Sequence, residues 1–154
     1  MLSRPTTDQI LADCRSELLN AIDAAISDPA AKIAIQMMEN VLRNCAMRAA
    51  HEIAWMREET NDMIAFAERV DGSAATSAAL TAALRRHAAE RSDSLHLDDV
   101  SSTYGLAGEC LSTALEAALA AGDDELCAAG RALLEQRLGH ELEIMGEWTM
   151  VGRG

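Results

Sequence analysis

Aromatic side chains are nearly missing from this sequence, at 3% of 154 residues. Sheets favour aromatic and β-branched side chains, so the shortage argues against a β fold. Positive charge is also scarce: 13 Lys and Arg stand against 25 Asp and Glu, for a formal net charge of −12. Nucleic-acid binding draws most of its affinity from cations that neutralise phosphates. Here the cations are scattered (Arg43, Arg48, Arg57, then Arg85 and Arg86), with no run of five or more. DNA, RNA and anionic membrane surfaces are therefore disfavoured as partners, and acidity of this kind mostly serves solubility. No apolar run approaches the roughly 20 residues that cross a bilayer. Met1 to Thr7 lacks the basic region and apolar core of a signal peptide. The four cysteines, Cys14, Cys45, Cys110 and Cys127, are widely spaced and form no CxxC pair. They read as reduced thiols used for core packing, in a cytoplasmic protein.

What remains points to helix. Hydrophobic residues are 49% of the chain, enough to bury a core. Alanine, the best helix former, supplies about a fifth of it, and methionine is plentiful. The length suits one domain. The expected fold is all-α: an antiparallel bundle of about five helices with one long second helix.

The local signals place those helices. Thr6 to Gln9 fits a capping box, followed by a stripe through Ile10, Leu11, Cys14, Leu18, Ile22 and Ile26. Asp28-Pro29 starts the second helix. Neither Pro nor Gly interrupts the chain from Ala30 to Val70. A bend near Thr60 to Asp62 is the one expected irregularity, because such residues compete for backbone hydrogen bonds. Its apolar positions include Ile33, Met37, Met38, Val41, Ile53, Met56, Met63 and Phe66, with core as the default reading of the methionines. Further helices are expected from about Ala74 to Arg91, from an Asp98 cap to Gly122, and from an Asp123 cap through Met145.

No stretch spells out a reaction. A nucleophile elbow and a phosphate-binding loop are both missing, and Gly105 and Gly108 read as sites of close helix approach. The least bland feature is an echo. His51-Glu52-Ile53-Ala54-Trp55-Met56-Arg57-Glu58 and His140-Glu141-Leu142-Glu143-Ile144-Met145-Gly146-Glu147 both read His-Glu-aliphatic-x-x-Met-x-Glu. If the two helices met, imidazoles and carboxylates would converge as ligands for a metal such as zinc or iron. Neither copy is HExxH, however, and salt bridges or a solvated face are the commoner meaning. Asn40, Asn44, Arg48, His51 and Glu52 form a second feature, a polar row beside the apolar stripe of the long helix. It would line a groove or, more often, serve structure through satisfied hydrogen bonds. The candidate polar site is thus Asn40, Asn44, Arg48, His51, Glu52, His140 and Glu141, with no metal assigned.

Arg4-Pro5-Thr6, Ile10-Leu11, Leu18-Leu19, Glu39-Asn40-Val41-Leu42 and His51-Glu52 together carry a resemblance over about the first 60 residues. In these the chain resembles a family of short, uncharacterised bacterial helical proteins. Its members are typically encoded beside aminoglycoside-phosphotransferase-like proteins and acyl-CoA dehydrogenases. The resemblance implies an accessory role near acyl-CoA or kinase-like chemistry and carries no catalytic residue. The expectation is a non-enzymatic accessory or interaction protein, a homodimer with a metabolic enzyme as a further partner. The alternative is a small-ligand or metal-dependent enzyme built on His51, Glu52, His140 and Glu141.

Overall fold

The computed structural model describes residues 4–146, which hold helices and no strand. Helix α1 spans Thr7–Glu17. Its capping box is in place: the Thr6 backbone N–H donates to Gln9 Oε1 at 3.0 Å. The stripe that follows does not bury as one face. Leu18–Ile22 winds more widely, with the Asp23 N–H reaching Leu18 O five residues back, before a last turn at Asp23–Ala25. The wider turn changes the helical phase, and Leu18 is buried while Ile10, Leu19 and Ile22 stay exposed.

Asp28 caps the next helix, accepting the Ala31 N–H on Oδ2 at 2.8 Å. Helix α2 then runs Pro29–Asp71, 43 residues without a break. Thr60 to Asp62 stay within the helix, so the irregularity expected there is not a break. Asp62 is engaged elsewhere, with Oδ2 accepting from Gln136 Nε2 at 3.0 Å, so it does not compete for the α2 backbone.

Helix α3, Ala78–Glu90, starts later than the Ala74 expected from composition. Local hydrogen bonds hold the preceding residues as a turn. Asp71 Oδ1 accepts from the hydroxyls of Thr76 and Thr81, each at 2.7 Å, and Ser73 Oγ accepts the Ala75 N–H. Ser77 is the cap, its Oγ accepting the Leu80 N–H at 3.1 Å. Helix α4 spans Leu97–Ala121, with His96 rather than Asp98 as its cap residue. Asp98 and Asp99 fall in the first turn instead, where the helix dipole favours acids. Gly122, at φ 66°, closes α4. Its N–H donates to Leu119 O and the Asp123 N–H to Ala118 O, a Schellman arrangement that favours glycine at this left-handed position. Asp123 caps the last helix, α5 (Asp124–Met145), accepting the Leu126 N–H at 3.0 Å.

By packing, the chain groups into two compact units. One comprises residues up to Glu52 together with those from Glu141; the other is Ile53–His140. The second unit holds a contiguous core. Met63, Phe66, Val70, Leu80, Cys110, Leu111, Leu126 and Leu133 are buried there, with small residues Ala67, Ala107, Ala114 and Ala118 between them. The closest approach is at Gly130, where a Cβ would lie 2.4 Å from Leu115 Cδ2 and 3.1 Å from Phe66 Cζ. Gly105 and Gly108, expected to fill that role, have open space beside them.

The first unit buries only Leu18 and Ile35 among the described large apolar residues. Ile33, Met37, Met38 and Val41, assigned to a core stripe by periodicity, are exposed. The cysteines divide in the same way. Cys110 is buried and Cys127 half-buried in the second unit, while Cys14 and Cys45 are exposed in the first, against the expectation of core packing. All four are free thiols.

Candidate functional site

In the first unit the polar row of α2 has a definite task. The last carbonyls of a helix have no partner within it. Arg43 Nη2 donates to Met145 O at 3.1 Å, and the Asn44 amide, with its nitrogen turned toward the two carbonyls, donates to Ile144 O at 2.7 Å and to Asn40 O at 3.2 Å. Asn40 Oδ1 in turn accepts from Arg43 Nη2 at 3.0 Å. These residues therefore satisfy the C-terminal end of α5, and the guanidinium also complements the negative end of its dipole. Arg48 pairs with Glu52 one turn on, Nε to Oε2 at 2.8 Å. That hydrogen bond and the charge of Glu52 raise the Arg48 pKa against the opposing effect of burial, with a lesser contribution from the charge of Glu141. His51 and Glu141 lie at exposed helical positions of this unit.

The echo thus divides. His51, Glu52 and Glu141 belong to the first unit, His140 belongs to the second, and Glu147 lies outside the described residues. His140 finds its carboxylate in Glu59, a residue not singled out from sequence, with Nδ1 2.7 Å from Oε1. Around Glu59 the second unit builds a closed polar network from α2, α4 and α5. The Tyr104 hydroxyl donates to Oε2 at 2.5 Å, Arg137 Nε donates to Oε2 at 3.1 Å, and Arg137 Nη2 donates to the Tyr104 oxygen at 2.8 Å. The Arg137 guanidinium also sits 5.5 Å from the centroid of the Tyr104 ring. Trp55 stacks flat on the His140 ring, centroid to centroid 4.7 Å at an angle of 5°.

The electrostatics of the network follow from opposed effects. Burial raises the Glu59 pKa, but hydrogen bonds from Tyr104, His140 and Arg137 and the Arg137 charge outweigh it and hold the carboxyl below its ordinary range. Burial and the bond to Glu59 push the Tyr104 hydroxyl up. Burial opposes the Arg137 charge, yet its bonds to Tyr104 and Glu59 raise the pKa. An ionised carboxylate only accepts, so Nδ1 of His140 carries a proton and the ring is fixed in orientation. That is how a carboxylate orients a catalytic imidazole. It is also how a buried carboxylate is fully satisfied in a structural clasp.

The sequence contained a signal for this network. Trp55, Glu59 and Met63 follow at four-residue steps into the buried face of α2, so Glu59 is an acid on an apolar row. Leu133, Arg137 and His140 continue the buried face of α5 in the same manner, and Tyr104 is the single tyrosine of the chain. Among the described residues, no group of three or more His, Cys, Asp or Glu side chains is placed to hold a metal ion. Among the same residues, no helix is long and apolar enough to cross a membrane. No family model, curated protein or solved structure matches the chain.

Proposed function

We propose that this chain is a non-enzymatic accessory or interaction protein that works as a homodimer, with the exposed face of its first unit as the contact surface. One observation carries the reading. Among the described residues, nine of the fifteen exposed large apolar side chains belong to the first unit, which buries only Leu18 and Ile35 of this kind. Fully burying a large apolar side chain is worth about 1.5–3 kcal/mol, and these nine are already about half-buried, so covering them represents a gross gain on the order of 10 kcal/mol. That matches the roughly 4–15 kcal/mol that association costs.

The occupant is best supplied by a second copy. Ile33, Met37 and Val41 form one four-residue row on α2, with Met38 beside it. A two-fold axis lays such a row against itself. Between Pro29 and Leu42 the charged residues are Lys32 and Glu39, and both are paired within the unit, Lys32 with Asp23 and Glu39 with Arg15. Two strongly acidic chains can therefore meet here without burying an unpaired charge. Sedimentation equilibrium of the wild type and of Met37→Glu/Val41→Glu tests this. A wild-type dimer made monomeric by the double substitution is expected. A wild type that stays monomeric at high micromolar concentration overturns it.

Free thiols support a reducing compartment such as the cytoplasm, and the family resemblance supports a bacterial source. The family resemblance supports an enzyme of acyl-CoA or kinase-like chemistry as the client of the dimer. Copurification from the native cell at endogenous level tests that part, and recovery of the dimer alone removes it.

A second reading is favoured by the Glu59–His140 pair: a small-ligand or metal-dependent enzyme using His and Glu between α2 and α5. Metal analysis of protein purified without chelator, with His140→Ala and His51→Ala, separates the two. Stoichiometric metal lost in the variants supports the enzyme, and its absence leaves the pair as a clasp.

A further inference from the structure

Among the described residues, the exposed methionines all lie in the first unit: Met37 at 66%, Met38 at 55% and Met145 at 41%. The second unit keeps its own thioethers covered, with Met63 fully buried and Met56 half-buried. Exposed leucines occur in both units, Leu19 in the first and Leu95 and Leu119 in the second, so the methionines do not simply follow apolar exposure. Met37 and Met38 stand on the α2 face through which two copies meet in the dimer reading above, beside Ile33 and Val41. A thioether differs from the aliphatic side chains around it in one respect. Its sulfur takes up an oxygen atom and turns an apolar side chain into a polar sulfoxide.

We propose that Met37 and Met38 form an oxidation site at which hydrogen peroxide controls the homodimer, an inference that rests on the dimer reading. In the free copy both side chains are open to the oxidant, and in the dimer they are covered. Each sulfur attacks one oxygen of the peroxide. The O–O bond breaks, a sulfur–oxygen bond forms, and the departing hydroxide takes the remaining proton and leaves as water. Sulfur loses two electrons and the peroxide gains them. The new oxygen is a hydrogen-bond acceptor set among apolar neighbours such as Ile33 and Val41. An acceptor left unmet in a dry contact weakens it by about tenfold. Two-fold symmetry repeats the pair on the facing copy, so full oxidation should raise the dissociation constant by about 100-fold or more.

The test is hydrogen peroxide treatment of the full-length wild type and of Met37→Leu/Met38→Leu, followed by dithiothreitol to restore any oxidised thiol. Leucine keeps the apolar volume and takes up no oxygen. Peptide mass spectrometry locates the sulfoxides, and sedimentation equilibrium gives the dissociation constant. Before peroxide both proteins should form the same dimer. A dose that oxidises Met37 and Met38 fully should leave Met63 intact and the circular dichroism unchanged. At that dose the wild type should become monomeric, and the leucine variant should stay dimeric. A wild-type dimer that survives full oxidation at both positions overturns the proposal and leaves the dimer reading standing. So does a leucine variant that dissociates to the same extent, or a Met63 oxidised as fast as Met37. A wild type that is monomeric before any peroxide overturns the dimer reading and this proposal together.

Discussion

The two units of this chain are both helical but bury their apolar residues to opposite degrees. Met63, on α2 in the second unit, is 0% exposed, whereas Met37, on the same helix in the first, is 66% exposed. Both lie on apolar rows of similar periodicity. The difference lies in what the rows meet. The second unit surrounds Met63 with its own α4 and α5 residues and closes a polar network on Glu59. Among the described residues, the first unit leaves Met37 largely uncovered. Periodicity reports that a face is apolar, not whether the chain itself supplies the partner.

The sharpest way to break this comparison is a pair of matched truncations. Met63→Ala should cost about 2–5 kcal/mol, as for a large buried side chain in a close-packed core. Met37→Ala should change the stability of an isolated chain by under about 0.5 kcal/mol. Urea denaturation at low protein concentration measures both, and equal costs would dissolve the distinction between the units.

Glu59→Gln comes next. It leaves Arg137 and His140 without their carboxylate, and breaking a fully buried pair costs about 3–5 kcal/mol. Arg137 is 28% exposed, so a loss of about 2–3 kcal/mol is the expectation. The pH dependence has a definite sign. The folded pKa of Glu59 lies below its unfolded value, so its contribution is present above the ordinary carboxylate value of about 4.3 and is lost as pH falls through the folded value. The wild type should lose this increment in acid, and Glu59→Gln should not.

His87 adds a smaller effect at milder pH. Its pKa is lowered, chiefly by burial, so the unfolded chain binds a proton before the folded one does. Stability should fall as pH drops below the ordinary histidine value of about 6.5. His87→Gln should flatten that slope in thermal melts between pH 7 and 5. A slope unchanged by the substitution would mean that the imidazole is not held neutral.

A polar residue of the first unit has a modest effect. Asn44→Ala removes the bonds to Ile144 O and Asn40 O and should cost about 0.5–1.5 kcal/mol. Hydrogen exchange should show the loss at the end of α5. A cost as large as that of Glu59→Gln would make the two units alike in what their polar residues do.

Much of the fold was legible because its signals are local. Thr6 with Gln9, Asp28 with Pro29, Asp123 and Gly122 each act on neighbours within about one turn, and the structure uses all of them as the sequence suggests. The start of α4 lies ahead of the Asp98 cap that the sequence suggests, because His96, a weak capping type, holds the cap position while the aspartates sit in the first turn. The start of α3 was misplaced because alanine propensity lost to hydroxyl bonds at Asp71 and Ser73. The polar network was not legible in the same way. Glu59 meets Tyr104, Arg137 and His140 from 45 to 81 positions away, and no local rule joins them. His140 stood out on the strength of an echo with His51, yet its carboxylate came from another turn of α2.

The central claim is that the second unit completes its own core while the first is completed by another copy of the chain. Hydrogen exchange of the wild type, measured across a dilution series, tests it most directly. Amides from Pro29 to Glu52 should gain protection as concentration rises, while those from Met63 to Val70 stay protected throughout. Protection of both segments that is equal and independent of concentration, in a chain that stays monomeric, would contradict the account.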